Sequence, residues 1–351
     1  MDMGLRFEWS ERLSRPKHLI LKGSDRVRHK VGFMQIDLAY AGSIIGVEQA
    51  ARSAKERGYG GLWTSETRHD PFLTLSLATR ACPDLEIGSG IAVALARSPY
   101  TVAQSAWDLA TISGGRFRLG LGSQVKTHVT RRFSMPWHKP IPQMREFVEA
   151  VRAIWRSFQT GERLNFQGEY YQHTLMIPNF NPGPREEGPI PVGLAAVGPL
   201  MTRLAGEVAD FVILHPFTNV DFIREITQPA LKSGLERAGR EPAALETVGS
   251  LFAFSEGPSA DQHDATVRQK VAFYGSTPAY KGVLEAAGRG ELFARLHKMS
   301  KEGLWREMSE LIDDHLLDKF RVRAPEEELF DKVRKRFAGL YDRVVLTVPG
   351  T

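Results

Sequence analysis

The chain has 351 residues, of which 42% are hydrophobic and 25% charged, which is the composition of a globular protein with a substantial core. It has no apolar run of about eighteen residues, which a membrane-spanning helix needs, and no apolar signal segment near its N-terminus. A single cysteine, Cys82, excludes an internal disulfide and fits a reducing compartment. We therefore expect a cytoplasmic protein that is not bound to a membrane.

Most of the net charge of +5 comes from residues 1–30, which hold eight Lys or Arg and four Asp or Glu, a net of +4. The body from Val31 onward is therefore almost neutral, with a net charge of +1 (5 − 4). Such a body is a poor electrostatic platform for nucleic acid, and we expect no nucleic-acid partner. We interpret residues 1–30 as a basic, mobile N-terminal extension and residues 31–351 as one domain.

Short runs rich in β-branched residues predict eight strands, in chain order VGFMQIDLA, GLWTSET, EIGSGIAVA, FRLGLGS, PIPVGLAA, DFVILHP, TVGSLFAFS and DRVVLTV. Apolar residues at helical spacing follow each of the first six strands. This βα alternation indicates a parallel sheet, and eight units in about 320 residues predict a closed (β/α)₈ TIM barrel. Between the seventh and eighth strands, residues 257–335 are charged and helical, which predicts an insertion beside the barrel mouth.

The loops after the C-terminal ends of the strands are where such a barrel builds its active site. After the fifth strand the chain turns into a helix through the small residues Ala195, Ala196, Val197 and Gly198. The free N–H groups and positive dipole end of that helix predict a phosphate site; the alternative interpretation is an ordinary tight turn.

The segment after the fourth strand is strongly basic. No Asp or Glu occurs from Leu109 to Arg145, whereas Lys126, Arg131 and Arg132 lie within it. A loop with only positive charge attracts an anionic ligand group. The alternative is a solvated surface that pairs with acids elsewhere in the chain.

Motifs of other enzyme classes are absent from the sequence. The ten histidines show neither HxH nor HExxH spacing, and there is no GxSxG elbow, Walker loop or GxGxxG fingerprint. Glu66, His69 and Asp70 cluster after the second strand, but three such residues in one loop are a weak metal signal. We expect no metal site, and a metal-dependent hydrolase ranks last among the alternatives.

The run SGGRFRLGLGSQ, from Ser113 to Gln124, resembles the fourth-strand signature of luciferase-like flavin and deazaflavin oxidoreductases. Longer runs are similar to the subgroup that depends on the deazaflavin coenzyme F420: LWTSETRHDPFLTL, GSGIAVALARSPYTVAQSAWDL, GSQVKTHVTRRFSMPW, AAVGPLMTRLAGEVADFVILHPF and AFYGSTPAY. The resemblance implies a bacterial-luciferase-like barrel, bound F420, hydride transfer to or from a small organic substrate, and a homodimer.

The resemblance also implies roles for individual residues. The peptide bond Gly90–Ile91 is expected to be cis and to press on the central ring of the cofactor, with Glu66 near the polar edge of the ring. Gln124, Val125 and Lys126 are expected to flank the pyrimidine side and the ribityl chain. The phosphate is expected at Ala195, Ala196, Val197 and Gly198, and the acidic glutamyl tail at Lys126, Arg131 and Arg132.

The residues leave several candidates for the proton donor and the substrate pocket. AYAGS lacks the glutamate that several relatives have after the first strand, and Thr67 stands where some have a histidine. This leaves Glu66, His69, His215 and Tyr274 as candidate acids or bases. The remaining pocket candidates are Asp37, Tyr40, Trp137, Phe217, Phe273 and Tyr280. The aromatic side chains of Trp137, Phe217, Phe273, Tyr274 and Tyr280 are candidates for an apolar lid that excludes water. Such a lid suggests a small, hydrophobic or weakly polar alcohol, ketone or activated alkene as substrate.

Two other functions fit the same fold. An FMN-dependent monooxygenase would use oxygen and a separate flavin reductase as partner. A non-catalytic flavin-binding barrel would bind a cofactor without turning over any substrate.

Overall fold

Eight parallel strands close into a barrel in the computed structural model, which describes residues 34–347. Both the basic extension predicted for residues 1–30 and the last four residues lie outside the described part of the chain. The described strands are β1 Gln35–Tyr40, β2 Gly61–Thr64, β3 Glu86–Ser89, β4 Ala92–Val93, β5 Phe117–Gly122, β6 Phe166–Gln167, β7 Gln172–His173, β8 Val192–Ala196, β9 Phe211–Leu214, β10 Glu246–Ser255, β11 Arg321–Ala324 and β12 Arg343–Thr347.

The order around the barrel is β1, β2, β3, β5, β8, β9, β10 and β12, and β12 pairs in parallel with β1 to close the ring. All eight predicted strands are present, so the predicted (β/α)₈ TIM barrel is confirmed. The third predicted strand is divided into β3 and β4 at Gly90 and Ile91.

The helices surround the barrel or form the insertion. Several begin where the sequence supplies an N-cap: the Asp70 carboxylate accepts the N–H groups of Phe72 and Leu73 at the start of the second helix. Their bounds are α1 Val47–Glu56, α2 Pro71–Ala81, α3 Pro99–Ile112, α4 Pro140–Thr160, α5 Pro199–Val208, α6 Val220–Phe222, α7 Gln228–Arg237, α8 Ala260–Gly275, α9 Lys281–Ala286, α10 Leu292–Lys301, α11 Trp305–Glu310, α12 Asp314–Asp318 and α13 Glu326–Phe337.

The barrel interior is layered. Because side chains alternate across a strand, every second residue points inward. The N-terminal ends of the strands contribute charged residues, which pair around the buried Arg343. Above them lies an apolar layer of Trp63, Phe211, Ile213, Val248 and Val345, against which Ala39, Ile91 and Ala195 pack from the mouth side. Glycines face the largest rings: a Cβ at Gly193 would lie 2.1 Å from the Phe211 ring.

The insertion between β10 and β12 has a core of its own, built from helices α8 to α12 and including Val267, Val271, Leu284 and Leu296. Its predicted end at residue 335 is wrong. Leu329, Val333 and Phe337 of α13 pack in the main core, so α13 is a helix of the barrel layer. The insertion also contains the strand β11, which pairs with β10 and was not predicted because its sequence, RVRA, is short and charged.

Candidate active site

The floor of the barrel mouth is apolar at the side formed by Ala39, Ile91 and Ala195. The peptide bond between Gly90 and Ile91 is cis, at the bond that the resemblance singled out. Gly122 makes room for the Ile91 side chain, because a Cβ there would lie 2.9 Å from the Ile91 Cδ1 atom. Small residues around a half-exposed Ile91 leave space for a planar ring over this side of the mouth.

The loop after β2 holds this bulge in place. The Gly90 N–H donates to the Thr64 carbonyl at 2.8 Å, and the Glu66 N–H donates to the Ile91 carbonyl at 2.9 Å. The Glu66 carboxylate accepts the Val93 N–H at 2.7 Å. Backbone and side chain of Glu66 therefore fix both ends of the bulge.

Arg97 completes this arrangement. Its guanidinium donates to both oxygens of Glu66, at 2.7 and 3.1 Å, and to Asp70 at 2.6 Å. The Glu66 carboxylate is thus occupied by an arginine and a backbone amide, and its expected role as proton donor is not supported: it positions the bulge. The sequence analysis missed Arg97, because its partners Glu66 and Asp70 lie 31 and 27 residues before it in the sequence.

The turn after β8 leads directly into α5, whose N-cap is Gly198 and whose first turn receives no side-chain cap. An added Cβ at Gly198 would meet no atom within 4 Å, so the space in front of the helix is open. Uncapped N–H groups at a helix start bind anions well. The geometry fits the predicted phosphate site at Ala195, Ala196, Val197 and Gly198.

The loop after β5 lies on the same rim. Gln124 has a φ of 58°, and its side-chain Oε1 accepts the Val125 N–H at 2.9 Å. The Arg132 guanidinium donates to the Thr67 carbonyl, which ties this loop to the one after β2. Lys126 and Arg131 are exposed and form no ion pair within residues 34–347. Their charges are therefore available to an anionic ligand.

His215 follows β9 and continues the inward alternation of Phe211 and Ile213 to the mouth. Its Nδ1 atom accepts the Phe217 N–H at 3.0 Å, so the neutral ring carries its proton on Nε2. The ring lies 4.4 Å from the Tyr274 centroid and 5.0 Å from the Tyr280 centroid. Three of the predicted site residues are thus brought together.

Burial governs the protonation of this cluster. It lowers the pKa of His215 to about 3, with a further contribution from the Lys270 charge. Burial also raises the pKa of both tyrosines, Tyr274 and Tyr280. At neutral pH the imidazole is therefore a neutral hydrogen-bond donor, which is poorly suited to giving up a proton as an acid.

The other aromatic candidates lie in three different parts of the structure. Phe217 is completely buried and stacks on Phe320, so it supports the cluster. Phe273 is half exposed and contacts Tyr274 and Trp305 at the surface of the insertion. Trp137 packs against the main core, apart from this cluster, so it does not belong to the same lid.

Asp37 was expected in the substrate pocket, and this prediction is wrong. It lies inside β1 with no exposed surface, where it accepts hydrogen bonds from the Arg343 guanidinium at 2.6 Å and the Trp63 indole at 2.7 Å. Arg343 also contacts Glu86 and Glu246. Asp37 therefore belongs to the charged layer at the N-terminal end of the barrel, because it is only the third residue of β1, which continues to Tyr40.

The remaining candidates are peripheral. Tyr40 ends β1 and its hydroxyl donates to the Ser43 carbonyl at 2.5 Å. His69 is exposed. Among residues 34–347 no three His, Cys, Asp or Glu side chains form a metal-binding group, and no helix there is long and apolar enough to cross a membrane.

Comparison with known proteins agrees with this geometry. The sequence model of the luciferase-like monooxygenases matches residues 33–343. An uncharacterised protein of Mycobacterium tuberculosis is 44% identical over 89% of this chain and 92% of its own length. The 5,10-methylenetetrahydromethanopterin reductase of Archaeoglobus fulgidus is 26% identical, over 82% of this chain and 85% of its own.

A solved structure shares the fold. The coenzyme F420 dependent tetrahydromethanopterin reductase from Methanopyrus kandleri superposes with a TM-score of 0.72 at 20% identity, covering 90% of this chain and 92% of that one. The family match spans nearly all of the described barrel. The chain is therefore an enzyme that belongs to the luciferase-like monooxygenase family.

Proposed function

We propose that the enzyme is an oxidoreductase that uses the deazaflavin coenzyme F420 to transfer a hydride to or from a small organic substrate. The observation that carries the proposal is the combination, on one rim, of an apolar floor at the cis bulge and an uncapped helix start at Gly198. The Archaeoglobus relative, similar over most of its length, is a reductase, which supports the redox part of the proposal.

The residues fit the parts of the coenzyme. Ile91, with Ala39 and Ala195 beside it, would support one face of the ring, and the first turn of α5 would bind the phosphate. The exposed charges of Lys126 and Arg131 suit an acidic tail. When bound, the deazaflavin supplies a ring carbon that accepts or donates the hydride.

The residues of the chain position the reactants and restrict the access of water. Glu66 and Arg97 hold the bulge in place, so the surface that would support the ring is fixed before cofactor or substrate binds. The rings of His215, Tyr274 and Tyr280 form an aromatic wall on the other side of the mouth and restrict water there. The neutral His215 would donate a hydrogen bond from Nε2 to a substrate oxygen.

Fluorescence titration with oxidised F420 and, in parallel, with FMN tests the proposal. We expect saturable micromolar binding of F420 and much weaker binding of FMN. Gly198→Asp should weaken F420 binding at least tenfold, because it places a carboxylate at the proposed phosphate site, where space is open and φ is −79°. Ser259→Asp adds the same charge at the start of α8 and should leave the affinity unchanged.

The other outcomes decide between the alternatives. Tight FMN binding without an F420 response would overturn the assignment of F420 as the cofactor. It would favour the FMN-dependent monooxygenase with its reductase. F420 binding without hydride transfer to any of a broad set of alcohols, ketones and activated alkenes would favour the non-catalytic barrel. The homodimer stays a prediction, which sedimentation of the purified protein tests.

A further inference from the structure

Helix α8 of the insertion presents Lys270 to the barrel mouth. Lys270 lies four residues before Tyr274, so the two side chains share a helix face, and Tyr274 contacts His215. The Lys270 ammonium lies 5.4 Å from the centroid of the Phe252 ring on β10. It is also close enough to His215 to act on the pKa of that ring.

The Lys270 ammonium has no carboxylate partner. Within residues 34–347 it forms no ion pair and no hydrogen bond, although it is half-buried. Its neighbour Arg268, by contrast, pairs with Asp314 at 2.6 Å, and the exposed Lys298 lies 4.0 Å from Glu302. A cation that loses part of its hydration without an ion pair is costly, unless a ligand supplies the missing charge.

The polar groups of the cluster of His215, Tyr274 and Tyr280 are donors without a partner. His215 Nε2 and the hydroxyls of Tyr274 and Tyr280 form no hydrogen bond in the described part of the chain. Lys270 shares a helix face with Tyr274, and its charge acts on His215, which contacts both tyrosines. A cation and unpaired donors in one region match the oxygens of an anion, which accept several hydrogen bonds at once. One positive charge balances the single charge of a carboxylate.

This cluster lies across the barrel from the proposed ring site. In the eight-strand order β10 stands four places from β3, the strand that leads into the bulge, and β9 stands four places from β2. A ring that rests on the bulge would therefore turn its other face toward His215 and α8. A group bound at Lys270 would belong to the substrate.

We propose that Lys270, His215, Tyr274 and Tyr280 form a subsite for a carboxylate group of the substrate. The inference rests on the proposed function and narrows its substrate to small organic acids that carry an alcohol, ketone or activated alkene. It revises the uncharged substrate expected from the sequence, where Lys270 stood as one of many basic residues in a charged helical segment.

Calorimetric titration with benzoate and its neutral counterpart benzamide tests the subsite. We expect the wild type to bind benzoate at least tenfold more tightly than benzamide. Lys270→Met should weaken benzoate binding at least tenfold and leave benzamide unchanged, whereas Lys270→Arg, which keeps the charge, should retain benzoate affinity within about threefold. Lys298→Met removes a lysine that is 80% exposed on α10 and serves as the control that keeps full affinity.

Three results would overturn the subsite: equal binding of the two probes, unchanged benzoate affinity in Lys270→Met, or no benzoate binding to the wild type. Inorganic phosphate that binds more tightly than benzoate, and depends on Lys270, would overturn the carboxylate class. The F420 titration is measured separately on the same variants. If F420 binds normally while benzoate binding does not depend on Lys270, the subsite fails and the proposed function stands.

Discussion

The imidazole of His215 is held neutral in the folded protein, and this has a consequence for stability at the scale of a single residue. Its pKa of about 3 is set by burial and by the Lys270 charge, whereas a histidine in the unfolded chain titrates near pH 6.5. Between these values the unfolded state binds more protons. The free energy of unfolding should therefore rise with pH through this window, by up to about 1.4 kcal/mol per pH unit from this residue.

His215→Gln removes this dependence, because glutamine does not titrate. We expect the wild type to lose free energy of unfolding relative to the variant as the pH falls from 7.5 to 4.5. Urea denaturation of both proteins measures this difference. The exposed His69 provides the control His69→Gln, for which this difference should change little. A wild-type advantage that stays constant over that range would show that His215 titrates normally in the folded protein.

At the scale of elements, the β6–β7 hairpin depends on one buried carboxylate of α4. Glu146 accepts the backbone N–H groups of Glu169 at 2.9 Å and Tyr170 at 2.7 Å, and also that of Tyr171. Glu146→Gln exchanges one acceptor oxygen for an amide donor and leaves backbone N–H groups unsatisfied. We expect hydrogen exchange at these three amides to accelerate at least tenfold, as followed by mass spectrometry.

The same helix offers a matched control for this experiment. Glu149 lies three residues further along α4 and is exposed, so Glu149→Gln should leave exchange in the hairpin unchanged. Equal protection in the wild type and Glu146→Gln would mean that other contacts, such as the hydrogen bond from Gln143 to the Tyr171 hydroxyl, hold the hairpin.

Periodicity made the barrel predictable, and its absence explains what was missed. The period in question is the regular alternation of strands and helices along the chain, in which short, β-branched runs such as FVIL are recognised as strands. The hairpin strands have only two residues each, FQ and QH, and no period can be read from them. Arg97 lies 31 residues from its partner Glu66, and Arg343 lies 306 residues from its partner Asp37. Strand register decides that Glu66 lies at the mouth and Asp37 at the opposite end of the barrel, and the sequence does not show that register. Lys270 was missed for the same reason, because it and His215 are far apart in the sequence.

At the scale of the whole molecule, the insertion and the barrel share a strand. Phe252 and Phe254 of β10 pack in the insertion core, β11 adds to the same strand, and β10 also pairs with β9 and β12. Loss of packing in the insertion should therefore destabilise the barrel as well. Leu296 is completely buried in the insertion core, and Leu296→Ala should cost about 2–5 kcal/mol in free energy of unfolding.

We expect this loss to appear in one cooperative transition. Urea unfolding followed by far-UV circular dichroism reports on the whole chain, whereas the difference in fluorescence between the parent and Trp305→Phe reports on the insertion. Both midpoints should fall together in Leu296→Ala and stay in place in Leu175→Ala, where the side chain is 71% exposed. If the insertion signal is lost at a lower urea concentration than the circular dichroism signal, the insertion with Lys270 and Tyr274 unfolds on its own. The shared strand β10 would then not couple the stability of the insertion to that of the barrel.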